Sequence, residues 1–381
     1  MKQTAQIIPS YTGDTSGVCS ALYELGGLIV MHDAAGCNAT YSAFDEPRWY
    51  TQESLVFVSG LTEMEAVLGD DQRLIEDTVA AAQKFQPAFI ALVGSPIPTV
   101  TAVDFPAIAR EIEQLTKIPT MGFNATGMAS YVSGAGMAFE GLAKKFVLPQ
   151  VPKTQAVTVN ILGVTPLDFS INGADQALKA VLQAQGLTVQ SSWAMGETLS
   201  NIKQAAGAKV NLVVSATGLA AAKVLAQKFE IPYVVGLPYG PAMAQQLAAM
   251  LIQTSQDHQN RIFCQAVPAS DTVIIGESVA ALSLAKALAA TTDFKATVLC
   301  PVDTFPELLT AGCIKARDEA ELKPYLQQAT TIIADPLYQP ICPPKARFIP
   351  LPQEAFSGRI YRQAIPELVK GFTTFRRNFG L

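Results

Sequence analysis

Six cysteines and two histidines are the residues of this 381-residue chain whose types suit metal or redox chemistry. The most suggestive group is Val30-Met-His-Asp-Ala-Ala-Gly-Cys37, where Cys37 follows a glycine just past the apolar run Leu28–Met31. The run reads as a buried strand and Asp33–Gly36 as the turn leaving it, with Gly36 free to take a positive φ. Cys37 then stands at the carboxyl end of a strand, near the start of the next helix. Helix N–H groups there favour a thiolate, a soft ligand suited to iron–sulfur chemistry. Packing is the commoner use of a free cysteine. His32 is a candidate to hydrogen-bond and tune a bound group, or is simply satisfied by backbone. Cys19 lies within Val18-Cys-Ser-Ala-Leu22, a helical stretch with an apolar face. Local periodicity reads it as core filling between Val18 and Leu22. Asp14 and Asp33 read as capping and turn residues.

Strands and helices must alternate to position these groups. Apolar runs at Leu28–Met31, Ala88–Val93, Val157–Leu162, Leu212–Ser215, Tyr233–Gly236, Thr272–Ile275, Ala296–Leu299 and Thr331–Ala334 predict strands. Amphipathic stretches at Asp71–Phe85, Asp104–Leu115, Ala174–Gln185, Leu219–Phe229 and Ser278–Ala289 predict helices between them. Such alternation implies parallel sheets covered on both faces. Proline-bearing and polar breaks near 149–154 and 254–260 divide the chain into three Rossmann-like α/β blocks, 1–150, 151–258 and 259–381, the last ending in a helix. The first block carries the candidate cluster ligands.

Composition excludes several function classes. The net charge is −5 and no basic block exists, which argues against nucleic acid. The uncharged stretches 118–139 and 231–256 are interrupted by glycine, proline and glutamine, so neither reads as a membrane span. The opening residues have no apolar core of a signal peptide, and no CxxC pair occurs; a cytoplasmic protein with free or metal-bound thiols is expected. No Gly-Lys pair exists, so a Walker-type ATP site is absent, as are a well-placed GxGxxG and a GxSxG elbow. His32 and His258 alone make a histidine-rich zinc site unexpected.

Ser16-Gly-Val-Cys-Ser-Ala-Leu22, followed by Val30–Cys37, resembles the first-domain signature of the nitrogenase component 1 family, a helix and strand leading to His-Gly-x-x-Gly-Cys. The likeness continues through Val67–Leu74, Ala88–Gly94, Ile118–Phe123 and Gly134–Gly141. Val159–Gly163, Asn211–Ser215 and Glu230–Pro241 follow its second domain in order. The resemblance covers roughly residues 15–260. It implies an oxidoreductase subunit that forms a homodimer, or a heterodimer with a paralogous subunit. It also implies an iron–sulfur cluster, of four irons and four sulfurs, at the subunit interface, and electrons from a separate nitrogenase-reductase-like iron protein ATPase. Members reduce dinitrogen, chlorophyll precursors or a nickel tetrapyrrole; in size the chain is most similar to the homodimeric last sort. Cys37 matches a cluster ligand of the family, with Gly36, His32 and Asp33 around it. Thr12 and Ser95 stand where the other two cluster cysteines fall, and Ser215 where a cofactor-anchoring cysteine falls. Dinitrogen reduction is therefore not expected, and Cys19, Asp14, Asp33 or a partner chain must complete a ligand set. The competing expectation is a scaffold or carrier for a metallocofactor or tetrapyrrole. The loop Gly236–Pro241 and Arg359 with Arg362 are further candidates, for an anionic substrate group. Cys264, Cys300, Cys313 and Cys342 are expected to be packing residues.

Overall fold

The computed structural model describes residues 5–38, 41, 45–290 and 292–381. Three all-parallel sheets are flanked by helices. The first has the order β2-β1-β3-β4, from β1 (Leu28–Met31), β2 (Leu55–Val58), β3 (Ile90–Val93) and β4 (Thr120–Phe123). The second has the order β6-β5-β7-β8-β9, from β5 (Thr158–Val164), β6 (Thr188–Ala194), β7 (Val210–Val213), β8 (Tyr233–Val235) and β9 (Arg261–Ile262). The third has the order β12-β11-β10-β13-β14, from β10 (Thr272–Ile275), β11 (Thr297–Cys300), β12 (Ile314–Lys315), β13 (Thr331–Ala334) and β14 (Arg347–Pro350).

The first sheet shows why continuous apolar runs give this architecture. Strand β1 pairs in register with β2 and β3, Leu28 lying opposite Leu55 and Ile90, and all four of its residues are buried. Its side chains alternate between faces. Leu28 and Val30 join Leu74, Ile75, Phe105 and Ile108 from the helices Gln72–Phe85 and Phe105–Thr116. Ile29 and Met31 join Val18, Leu22, Tyr131 and Phe139 on the opposite side. The helices Asp14–Leu22 and Tyr131–Lys145 meet there almost backbone to backbone. A Cβ on Gly134 would lie 1.8 Å from the Asp14 carbonyl oxygen, and one on Gly17 would lie 2.2 Å from that of Tyr131.

The expected boundaries shift for local reasons. Asp104 is the cap of its helix, its carboxylate accepting from Ala107 N, so the helix proper begins at Phe105. Strand β7 ends at Val213 because Ser215 turns the chain, its hydroxyl accepting from Thr217 N. The second sheet extends past the expected break at 258, since β9 pairs with β8. The N-terminal segment lies on the third block rather than the first: Ile7 packs among Val273, Ile275 and Leu322, and the Tyr11 and Thr12 amides donate to Ala355 O. No described helix is long and apolar enough to cross a membrane.

Candidate functional site

Cys37 is exposed, in a turn at the carboxyl end of β1. Its amide donates to Ala34 O, which closes the turn. The Asp33 carboxylate organises the rest, accepting from Ala34 N at 2.8 Å and from Asn38 Nδ2 at 2.7 Å. The left-handed residue of the turn is Asn38, with φ 55°, and not Gly36 as expected; Gly36 faces open space. Asparagine tolerates that conformation through its short polar side chain. The expected helix after Cys37 lies outside the described residues.

Strand order explains what surrounds this turn. With β1 between β2 and β3, its exit meets the exits of both. Ser59, after β2, accepts from Asp33 N, and its hydroxyl is 2.8 Å from His32 Nδ1. Ser95, after β3, donates its hydroxyl to His32 O at 2.8 Å. His32 is 3% exposed, lies edge-on to the Phe105 ring, and has no hydrogen-bond partner at Nε2 among the described residues. Burial holds its pKa below the ordinary value despite Asp33 and Glu65. Leu61 N donates to Asp33 O, which brings the short helix Glu63–Leu68 to this rim. Its Met64, Val67 and Leu68 are 66%, 76% and 69% exposed, an apolar surface of the kind that meets partners.

The other candidate ligands are placed differently. Cys19 is fully buried in the core among Val18, Leu22 and Tyr41. Burial, with the Glu46 carboxylate as a second cause, pushes its thiol far above the ordinary range. The structure therefore brings Cys19 into the packed interior and leaves Cys37 alone at the surface. Asp14 is 1% exposed and accepts from Thr15 N, Thr126 N, Thr126 Oγ1 and Gly127 N, holding the loop after β4. Thr12 donates its hydroxyl to Ala355 O. Among the described residues, no three histidine, cysteine or acidic side chains gather at metal-binding range.

The remaining expectations fall into the interior or into ion pairs. Cys264 and Cys300 are fully buried, Cys313 is nearly so and hydrogen-bonds the Cys300 thiol, and Cys342 donates to Tyr338 O. Arg362 grips the buried Glu354 through Nε and Nη2, so it is not free for a substrate; Arg359 is exposed. The loop Gly236–Pro241 is buried up to Gly240. Its Tyr239 faces acids, not the bases an anion needs.

Those acids are a feature that pattern reading passed over. Tyr131 from the first block donates to Asp168 Oδ1 at 2.6 Å, and Thr165 donates to Oδ2 at 2.7 Å. Ser215 also hydrogen-bonds Asp168. Glu277, from the third block, caps the helix Ser278–Ala289 by accepting from Val279 N and Ala280 N, and reaches Ala216 N of the second block. Neither carboxyl has an ion-pair partner among the described residues. Burial, then the nearby Glu277 charge, pushes Asp168 up to about 7. Burial likewise raises Glu277. Both line an internal cavity of about 50 Å³, with Tyr239, Phe169 and Gln353. That holds a water or two, far below the several hundred Å³ of an organic-ligand pocket. The available signal was Thr165-x-x-Asp168 directly after a strand, a capping pattern.

Three parallel α/β units, with a cysteine-bearing turn at one sheet's carboxyl edge, define a Rossmann-like scaffold. Residues 19–297 match the family described as Nitrogenase component 1 type Oxidoreductase, and the chain belongs to that family. A subunit of the light-independent protochlorophyllide reductase of Prosthecochloris aestuarii is 24% identical over 205 residues, 53% of this chain and 37% of the relative. The nitrogenase molybdenum-iron protein alpha chain of Azospirillum brasilense is 23% identical over 286 residues, 70% of this chain and 58% of the relative. The matches thus span roughly a third to three fifths of these relatives. The solved structure of nitrogenase Cp1 at pH 6.5 superposes with a TM-score of 0.71 at 14% identity, covering 100% of this chain and 94% of that one, and shares its fold.

Proposed function

We propose that this chain is a subunit of a nitrogenase-like reductase that takes electrons from a separate ATP-dependent iron protein and reduces a tetrapyrrole-type substrate, not dinitrogen. The observation that carries this reading is Cys37, an exposed thiol on an ordered turn at the carboxyl edge of β1, in a chain of this family. An iron–sulfur cluster takes four ligands as a rule. One protomer presents one surface thiol at this rim, so a four-iron, four-sulfur cluster fits here only as a group shared across a subunit interface. The partner is a second copy or a paralogous chain, and Met64, Val67 and Leu68 supply apolar contact area beside the turn. When bound, such a cluster supplies one-electron transfer. The chain's own residues do the rest: Asp33 fixes the turn, and Ser59 orients His32 behind it. Cys19 serves as core. The tetrapyrrole assignment rests on the names of the curated relatives, and a cytoplasmic location goes with it.

A second reading, a carrier without redox activity, is favoured by a specific observation. Thr12 and Ser95 occupy the expected cysteine positions, and the Asp14 and Asp33 carboxylates are committed to loops. Iron and acid-labile sulfide, measured in protein prepared anaerobically with its partner chain, decide between them. The reductase reading predicts iron in wild type and in Cys19→Ser, and its loss in Cys37→Ser. Wild type without iron sinks it and leaves the carrier.

A further inference from the structure

A cleft of about 450 Å³ opens where distant parts of the chain converge. Its walls are the N-terminal segment Pro9–Gly13, the loop Gly127–Ser130 after β4, the turn Pro301–Asp303 after β11, and Lys315 with Arg317 leaving β12. The volume lies in the range of small-molecule sites, and it sits between two α/β units, where such sites concentrate.

Its chemistry is unlike the rest of the surface. The chain carries 32 acidic and 27 basic residues, yet this cleft holds two bases and one acid. The acid is already engaged. Asp303 Oδ2 accepts from Ser130 N and Ser130 Oγ, at 2.9 and 3.0 Å, and Oδ1 accepts from Lys315 Nζ at 3.2 Å. Those bonds lock the first block's loop to the third block's turn and hold Lys315 along the wall. Arg317 is exposed, and among the described residues its guanidinium has no acidic partner; Glu321 is occupied by the Arg317 amide. Beside these charges stand Pro9, half-buried, and Met128, 86% exposed. A guanidinium fork beside apolar walls selects a planar oxyanion attached to an apolar body.

We infer that this cleft binds an organic carboxylate, with Arg317 as its main anion contact and Met128 and Pro9 against its apolar part. Resting on the tetrapyrrole reading above, the carboxylate is a ring substituent of that substrate. The cleft is large enough for one edge of such a ring.

Titration of the full-length chain with a tetracarboxylate porphyrin, its methyl ester, benzoate and inorganic phosphate tests this. The variants are Arg317→Ala, Arg317→Glu and Arg317→Lys, all at an exposed position, with unchanged melting temperature as the folding control. The expected result is porphyrin binding weakened about tenfold or more by Arg317→Ala, further by Arg317→Glu, and partly restored by Arg317→Lys. The methyl ester should bind weakly and independently of Arg317. If the porphyrin binds equally to all variants, the cleft assignment falls and the tetrapyrrole reading survives. If benzoate binds in an Arg317-dependent way and the porphyrin does not, the cleft stands and the tetrapyrrole reading falls. Phosphate binding with neither carboxylate probe bound, or no binding at all, overturns the assignment.

Discussion

The rim around Cys37 and the junction around Asp168 both place carboxyls at the exits of parallel strands, but they satisfy them by different means. On the rim, Asp14 and Asp33 take backbone amides from the loops they hold, and the Asn38 side-chain amide donates to Asp33. Their bonds stay within the first block. At the junction, Asp168 takes hydroxyls, from Tyr131 and Thr165, and sits near a second carboxyl. Its bonds, with those of Glu277, tie three blocks together. The rim acids shape a local loop, whereas the junction acids join blocks, and there burial, then the nearby Glu277 charge, raises Asp168.

Glu277→Leu should have the largest effect. It removes the acceptor for Val279 N, Ala280 N and Ala216 N, the last across a block boundary. Leaving buried amides unpaired, with loss of a helix cap, should lower the unfolding free energy by about 2–4 kcal/mol, read by denaturant titration. The same change removes the charge that raises Asp168. A loss below the half-kilocalorie scale of a surface change would show that the junction is not held this way.

Asp168→Asn comes next and probes the junction by pH. A carboxyl raised to about 7 in the folded state binds more protons than the unfolded chain between roughly pH 4 and 7. Its contribution to stability is full below the unfolded pKa and is lost as pH rises through 7. Wild type should therefore lose up to about 1.4 kcal/mol per pH unit across this window from this group, and the asparagine variant should lose that slope. Identical pH profiles for the two proteins would mean that Asp168 is ionised throughout.

Period and run length were enough for the scaffold. Leu28–Met31, Thr272–Ile275 and Thr331–Ala334 are strands over the predicted residues, because an uninterrupted branched apolar run has no use except between two covered faces. The short edge strands β9 and β12 carry no such pattern: Arg261-Ile262 and Ile314-Lys315 form strands only because a neighbour offers a free edge. The site divides similarly. Local spacing at Cys37 reads equally as packing, and the family resemblance is what raises it to a ligand; the burial of Cys19 depends on Tyr41 and on the neighbouring helix Tyr131–Lys145, and four-residue periodicity says only that some face is covered. Likewise Asp168 and Glu277 are 109 residues apart in sequence. Nothing local to either announces the other, and their coupling exists only once three blocks close.

The smallest effect expected is also the one that separates surface chemistry from packing within the first block. Cys37 is exposed and its side chain packs in no core cluster, so Cys37→Ser should change stability by no more than about 0.5 kcal/mol. Cys19→Ser puts a hydroxyl into a fully buried site beside Glu46, where a poorly matched polar group costs about 1–3 kcal/mol. The two substitutions are chemically identical, one sulfur for one oxygen, so their difference in a thermal melt of the metal-free chain reads environment alone. Set beside the iron measurement, the pair gives a crossed result: one serine costs stability and keeps iron, the other keeps stability and loses iron. Equal destabilisation by both would mean that the Cys37 turn is itself packed in the isolated chain, and that its thiol, like that of Cys19, belongs to the core.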